Sequence, residues 1–255
     1  MYRYTFFQKD ESGVLCIETI RALILAAGLS TRMQDFKPLM PLCGKTLIEN
    51  TVDSVLQSGA GSAVVVTGYR ADEVEPLLRE RYGERVLCVK NEVYAVTDML
   101  ASIRTGCRAM PPCDAFFLLP GDMPVIRETT FRALLAKRDG QKRIIFPTLS
   151  GYRKHPPLID SRYIPEILSF YGEGGLRSLW KRHEDEIVEV PVDDVGIWVD
   201  LDTQEQYKTC KSKYEYMPIW KESASLSSKK TIPRRSRAEA STSVITSRRR
   251  TADPF

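Results

Sequence analysis

Between residues 21 and 149 the chain alternates between two hydrophobic rhythms, and that alternation limits its fold more than any other feature. The runs "RALILAA", "SAVVVTGY", "RVLCVKN", "CDAFFLLPGDMP" and "RIIFP" are short and largely apolar, as strands buried on both faces are. Between them, "KTLIENTVDSVLQSG", "ADEVEPLLRERYG", "TDMLASIRTGCRAM" and "RETTFRALLAKRDG" carry apolar residues at helical spacing, the first two stopping at Gly59 and Gly83. Such alternation predicts a largely parallel sheet with helices on both faces, an α/β fold. Farther on the pattern is less regular. "HPPLI", "DEIVEV" and "VGIWVDL" are expected as strands and "LRSLWKRH" as a helix.

Composition narrows the class. A hydrophobic fraction of 43% over 255 residues is enough for a sizeable core. No apolar run approaches the roughly 18 residues of a membrane span. The opening "MYRYTFFQKDESG" has no signal-peptide core, so a cytoplasmic location is expected. Six cysteines are scattered with no C-x-x-C pair and stand far from His155 and His183, which disfavours structural zinc and fits a reducing compartment. The net charge of +4 is unevenly spread. Residues 211–255 hold 11 Lys/Arg against 4 Asp/Glu, or +7, leaving −3 for the rest. From about residue 221 this tail lacks the apolar content to offset ordering entropy and is expected to be disordered. Its "KKTIPRRSR" and "SRRR" clusters are the only candidates for touching nucleic acid or anionic lipid, and a solvated tail without such a role is the simpler reading.

The first chemistry-bearing stretch is "LILAAGLSTRM", residues 23–33. An apolar strand runs into Ala26, Ala27 and Gly28, then Leu29, Ser30, Thr31 and Arg32. Ligands of parallel α/β sheets sit at the carboxyl ends of strands, and small residues there let backbone N–H groups approach an anion. Arg32, and Lys37 five positions on, are two cations suited to a triphosphate; a plain turn with surface charges would carry the same residues. Neither G-x-x-x-x-G-K-[ST] nor a strand-borne G-x-G-x-x-G is present, which disfavours a Walker-type ATPase and a dinucleotide fingerprint. "YGEGGLRSL" is Gly-rich without a convincing buried strand before it.

The second stretch, "FFLLPGDMP", puts Asp122 just past a strand, where a carboxylate suits Mg²⁺ or caps a turn. In the third, "VGIWVDLDTQEQY", Trp198, Asp200 and Asp202 alternate with Val199 and Leu201, so both carboxylates are expected on one sheet face. Alternatively, Asp202 caps the following helix.

Taken in order, "LILAAGLSTRMQDFKPLMPLCGKTLIE", "VVVTGY", "NEVYAVTDMLASIRTG", "LLPGDMP", "KHPPLI" and "VDLDTQEQY" resemble the MobA-like nucleotidyltransferases, most closely the molybdenum cofactor cytidylyltransferases. The resemblance covers roughly residues 21–209. It implies a Rossmann-like three-layer αβα sandwich with a predominantly parallel central sheet, as in nucleotide-diphospho-sugar transferases. It also implies transfer of a nucleotidyl group from an NTP with release of pyrophosphate. Carried over, Ala26, Ala27, Gly28, Leu29, Ser30, Thr31 and Arg32 bind the phosphates. Lys37 stabilises the transition state, and Arg32 is its catalytic companion. Gly68, Asn91 and Ser102 complete the nucleotide site. Asp122 and Asp202 hold Mg²⁺, and His155 and Asp200 lie toward the acceptor, His155 being equally readable as structural. Gln34, Asp98 and Lys154 stand where relatives carry Gly. The implied donor is CTP and the implied acceptor the phosphorylated molybdopterin cofactor, with a molybdoenzyme downstream. A sugar-phosphate, alcohol-phosphate or choline-phosphate acceptor is the alternative, as is a non-catalytic NTP-binding protein, against which intact Arg32, Lys37, Asp122 and Asp202 argue. The expected organisation is an extension over 1–20, the transferase domain over 21–210 and the basic tail over 211–255.

Overall fold

The computed structural model describes residues 6–9, 15–29, 33, 35–96, 98–199, 201 and 203–214. Ser30, Thr31, Arg32, Gln34, Asp200 and Asp202 lie outside these residues, as does the chain beyond Tyr214.

β1 (Phe6–Lys9) and β2 (Leu15–Glu18) form an antiparallel hairpin that leads into β3 (Ile20–Ala26). A small hairpin, β4 (Pro41–Leu42) and β5 (Lys45–Thr46), precedes α1 (Leu47–Gln57). Then come β6 (Ser62–Thr67), α2 (Ala71–Tyr82), β7 (Val86–Lys90), α3 (Met99–Ala109), β8 (Ala115–Pro120), α4 (Glu128–Leu135) and β9 (Ile144–Leu149), in the order the hydrophobic rhythm predicts. The remainder is β10 (Tyr152–Arg153), β11 (Leu158–Asp160), α5 (Ile164–Ser169), α6 (Gly175–Trp180), β12 (Ile187–Pro191) and α7 (Gln204–Tyr214). α7 runs through residue 210, where the sequence pattern places the start of the tail, and its Tyr214 packs on a small apolar cluster around Leu42 and Tyr207.

In the main sheet β7, β6, β3, β8, β11 and β9 lie side by side, with β10 and β12 also paired to β9. β3, β6, β7 and β8 are mutually parallel, and β12 is parallel to β9. β10 and β11 run the other way: β10 is antiparallel to β9, and β11 is antiparallel to both of its neighbours. Its direction follows from the Ser150–Gly151 turn, where both residues have positive φ and fold the chain back on β9. From Arg153 to Leu158 the returning chain takes five steps while its partner takes three, from Thr148 to Ile145. The two extra residues form a bulge that contains His155, so the strand predicted at "HPPLI" begins only at Leu158.

Alternation along β3 divides the core. Ala22 and Ile24 face a layer containing Ile48, Val52 and Val55 of α1, Leu78 of α2 and Phe131 of α4. Leu23 faces the opposite layer, with Ile103 of α3, Ile167 of α5 and Leu179 of α6. The fold is therefore a three-layer αβα sandwich.

Two regions depart from the sequence pattern. "VGIWVDL" is not a strand: Val195–Trp198 is a 3-10 turn whose Gly196 N–H donates to the Asp194 carboxylate at 2.8 Å. A Cβ on Gly196 would stand 2.3 Å from the Val125 carbonyl, so the backbone is pinned against that loop rather than extended beside a strand. Asp200 and Asp202, expected on one sheet face, lie outside the described residues. The second region is the segment before residue 20, which the sequence pattern marks only as an extension and which forms the β1–β2 hairpin. Glu18 at the end of β2 pairs with Arg138 at 2.8 Å, and Arg138 reaches the buried Asp160 of β11 at 3.5 Å.

Candidate functional site

Strand ends and the loops behind them assemble the site. β3 ends at Ala26, and Ala27 follows it, buried; Gly28 and Leu29 are exposed. At the end of neighbouring β6 stands Gly68. A Cβ there would lie 2.7 Å from the Ala27 carbonyl and 2.8 Å from Tyr94 Cβ. Only glycine lets the loops after β3 and β7 close on each other at this point.

Asn91, just past β7, is buried and organises the opposite wall. Its backbone N–H donates to the Thr67 carbonyl at 2.8 Å, and its Oδ1 accepts from Val93 N at 3.2 Å. Its Nδ2 donates to Ser102 Oγ at 3.0 Å. Because the Ser102 oxygen accepts there, its own proton is directed elsewhere. Ser102 is in the second turn of α3, whose start is fixed by Asp98: the carboxylate accepts from Ala101 N at 2.9 Å. Asp98 is thus a helix cap on the rim, and its departure from glycine serves α3.

The third wall carries the charges. After β8, Gly121 donates to the Leu25 carbonyl at 2.8 Å and accepts from Thr51 Oγ1 at 3.1 Å, which locks the Pro120–Asp122 turn onto β3 and α1. Lys37 opens a 3-10 turn completed by Pro38 and Leu39 and is buried. Its Nζ meets Asp122 Oδ2 at 3.2 Å. A buried cation needs such a partner, and the pair brings the loop after β3 and the loop after β8 to one place.

A cleft of about 290 Å³ opens between these walls, lined among others by Ala26, Ala27, Gly28, Lys37, Ser102 and Asp122. Six of the residues expected from sequence therefore share one surface, and Gly68 and Asn91 stand directly behind it. Leu29 points outward at 40% exposure. His155 lies in an adjoining cavity, its Nδ1 against the Leu118 carbonyl at 3.2 Å, and burial pushes its pKa below the ordinary value. Tyr94 and Met99 also line the cleft, and sequence reasoning missed both. Their signal is an aromatic residue and an exposed methionine flanking a helix cap, which becomes meaningful only when β6 and β7 are placed side by side.

A small-residue strand end, a buried lysine, an aspartate at the next parallel strand and a base-sized recess with a directed hydroxyl define a nucleotidyltransferase. Residues 22–187 match the MobA-like NTP transferase domain, and the chain belongs to that family. It is 28% identical over 201 residues to the molybdenum cofactor cytidylyltransferase of Escherichia coli K12, covering 78% of this chain and 98% of that protein. It is 32% identical over 145 residues to the bifunctional protein GlmU of Brevibacillus brevis, covering 52% of this chain and 30% of that longer protein. Among solved structures, a nucleotidyl transferase from Methanothermobacter thermautotroptrophicus superposes with a TM-score of 0.66 at 27% identity, covering 76% of this chain and 97% of that one.

Proposed function

We propose that this nucleotidyltransferase moves CMP from CTP to a phosphate-monoester acceptor, molybdopterin cofactor being the favoured one. The observation that carries the reading is the convergence of Lys37, Asp122 and the Asn91–Ser102 pair on one cleft. An acceptor phosphate oxygen attacks the α-phosphorus of the triphosphate. The bond to the bridging oxygen breaks, and pyrophosphate leaves with that electron pair. A phosphate monoester has its second pKa at about 6, so the attacking oxygen carries no proton at neutral pH and no general base is required. Lys37 faces the charge that develops at the α-phosphorus, with Arg32 on the phosphates.

Asp122 offers a carboxylate to the cleft, the oxygen donor that a hard divalent cation takes together with phosphate oxygens and water. Magnesium fits this position, held by Asp122 with Asp202 as the expected second carboxylate, and there it would neutralise phosphate charge.

Two features support the pyrimidine. Ala27 puts a methyl where guanylyl relatives are expected to have Gly, narrowing the recess. The Ser102 proton, freed by the Asn91 bond, can donate to the cytosine edge. Pyrophosphate release from CTP, GTP, ATP and UTP, with and without molybdenum cofactor, tests the whole reading. CTP with cofactor should be the productive pair. Equal or better release from GTP would overturn the donor assignment.

A further inference from the structure

Across Asp98 and Met99 from the nucleotide cleft lies a second, larger cavity of about 890 Å³. Two stretches to which the nucleotide site gives no work form its walls. One is the bulge between β10 and β11. The other is the Gly-rich "GEGGLRSL" that opens α6. The floor is apolar, with Ile103 of α3, Leu118 of β8, Phe146 of β9 and Trp180 of α6. Its charge is cationic and only partly offset. Arg153 is engaged by Glu184 at 3.1 Å and Glu189 at 2.7 Å, and Lys154 Nζ stands 3.4 Å from the centre of the Trp198 ring. Asp98 is occupied as the cap of α3. Arg177 and Lys181 stand one helical turn apart, line the cavity, and are exposed. Among the described residues neither side chain has a carboxylate within ion-pairing distance.

We infer that this cavity is the acceptor chamber, and that Arg177 and Lys181 select an acceptor whose flat, ring-bearing body carries a second anionic group remote from the reacting phosphate. The inference rests on the nucleotidyl-transfer reading above. The cavity meets the cleft at Asp98 and Met99, so a phosphate placed near Asp122 leaves its body pointing toward His155 and the apolar floor. A planar ring covers Leu118, Phe146 and Trp180, and its far end reaches the two cations of α6. A choline-type acceptor would set a quaternary ammonium against them, and its small body would leave most of the chamber filled with water. A sugar phosphate would lay hydroxyls on an apolar floor that cannot answer them. The chamber's charge and lining thus separate acceptors that the phosphate site alone treats alike.

The test is calorimetric binding to the full chain, with α,β-methylene-CTP and Mg²⁺ present, of three probes: 6-carboxy-2-naphthyl phosphate, 2-naphthyl phosphate and phosphocholine. The wild type should bind the carboxylated probe about ten-fold more tightly than plain naphthyl phosphate, a gain two exposed cations can supply, and phosphocholine most weakly. Arg177→Glu combined with Lys181→Glu should abolish the preference, and the Gln/Gln double variant should fall between. Affinity for the CTP analogue should stay within about two-fold. No preference in the wild type, a preference that survives the charge reversal, or tightest binding of phosphocholine would overturn the inference. Failure of the CTP analogue to bind the wild type is a different result. It would remove the nucleotide reading, while the naphthyl pair, titrated alone, still reports the chamber's charge selectivity.

Discussion

Lys37 and Asp122 sit 3.2 Å apart in a site of low exposure, which holds the lysine side chain at the cleft. Lys37→Ala removes the cation that meets charge developing at the α-phosphorus. Its kcat should fall about 10²–10³-fold, with nucleotide affinity comparatively intact; steady-state rates beside a nucleotide titration check both parts. His155 works through burial. Its ring sits in the bulge before β11 against the Leu118 carbonyl of β8, and burial holds its pKa below the ordinary 6.5. As pH falls through about 6.5 the unfolded chain takes up this proton before the folded one does, so stability is fully present above that pH and declines below it. His155→Gln should flatten the profile in that window. Urea unfolding at about pH 5.5 and about pH 7.5 reads the difference, and an unchanged slope would show that other groups dominate.

At the scale of elements, α3 matters because it carries Ser102 and lies very close to the sheet. A Cβ on Gly106 would come within 2.1 Å of Leu23 Cδ1 and 2.9 Å of Val66 Cγ2. Gly106→Ala gains helix propensity of up to about 1 kcal/mol but overpacks a filled core. The net result should be a loss of about 1–3 kcal/mol, measured by denaturant midpoint at constant slope. The hairpin of β1 and β2 is joined to the domain by the Glu18–Arg138–Asp160 cluster. Arg138→Ala leaves Glu18 without its cation, while Asp160 keeps Arg162 at 2.7 Å, so the change should cost about 1–3 kcal/mol. Arg138→Ala combined with Glu18→Gln should recover part of that loss, since the uncompensated charge is then gone.

At the scale of the molecule, every catalytic candidate precedes α7, and α7 ends at Tyr214 with its packing residues on the small cluster near Leu42. Deleting residues 221–255 should therefore leave nucleotidyl transfer unchanged and shift stability by less than about 1 kcal/mol. A larger loss in thermal unfolding would mean that the basic segment docks on the domain. Within the described residues no helix is long and apolar enough to cross a membrane.

Sequence by itself determined the parallel half of the fold. β3, β6 and β8 are buried almost throughout, and such strands appear as apolar runs whatever their neighbours; β7, at the sheet's edge, keeps the apolar run although Leu87 is exposed. It also pointed to side chains that line the cleft at the carboxyl ends of those strands, because Ala26, Ala27, Gly28 and Asp122 follow the runs closely and Lys37 lies in the loop after the first of them. Only the tertiary structure decided what depends on partners distant in the chain. The reversal of β11 is set by a two-residue turn and a bulge. The 3-10 turn at Val195–Trp198 arises because Asp194 and the Val125 carbonyl hold Gly196, although the local alternation of apolar residues points to a strand. The Asn91–Ser102 bond, the closeness of Gly68 to Tyr94 and the cationic chamber beneath α6 all join segments that no period along the chain relates. Hydrophobic rhythm reports whether a residue is buried; which residue it is buried against is fixed when the strands are placed in order.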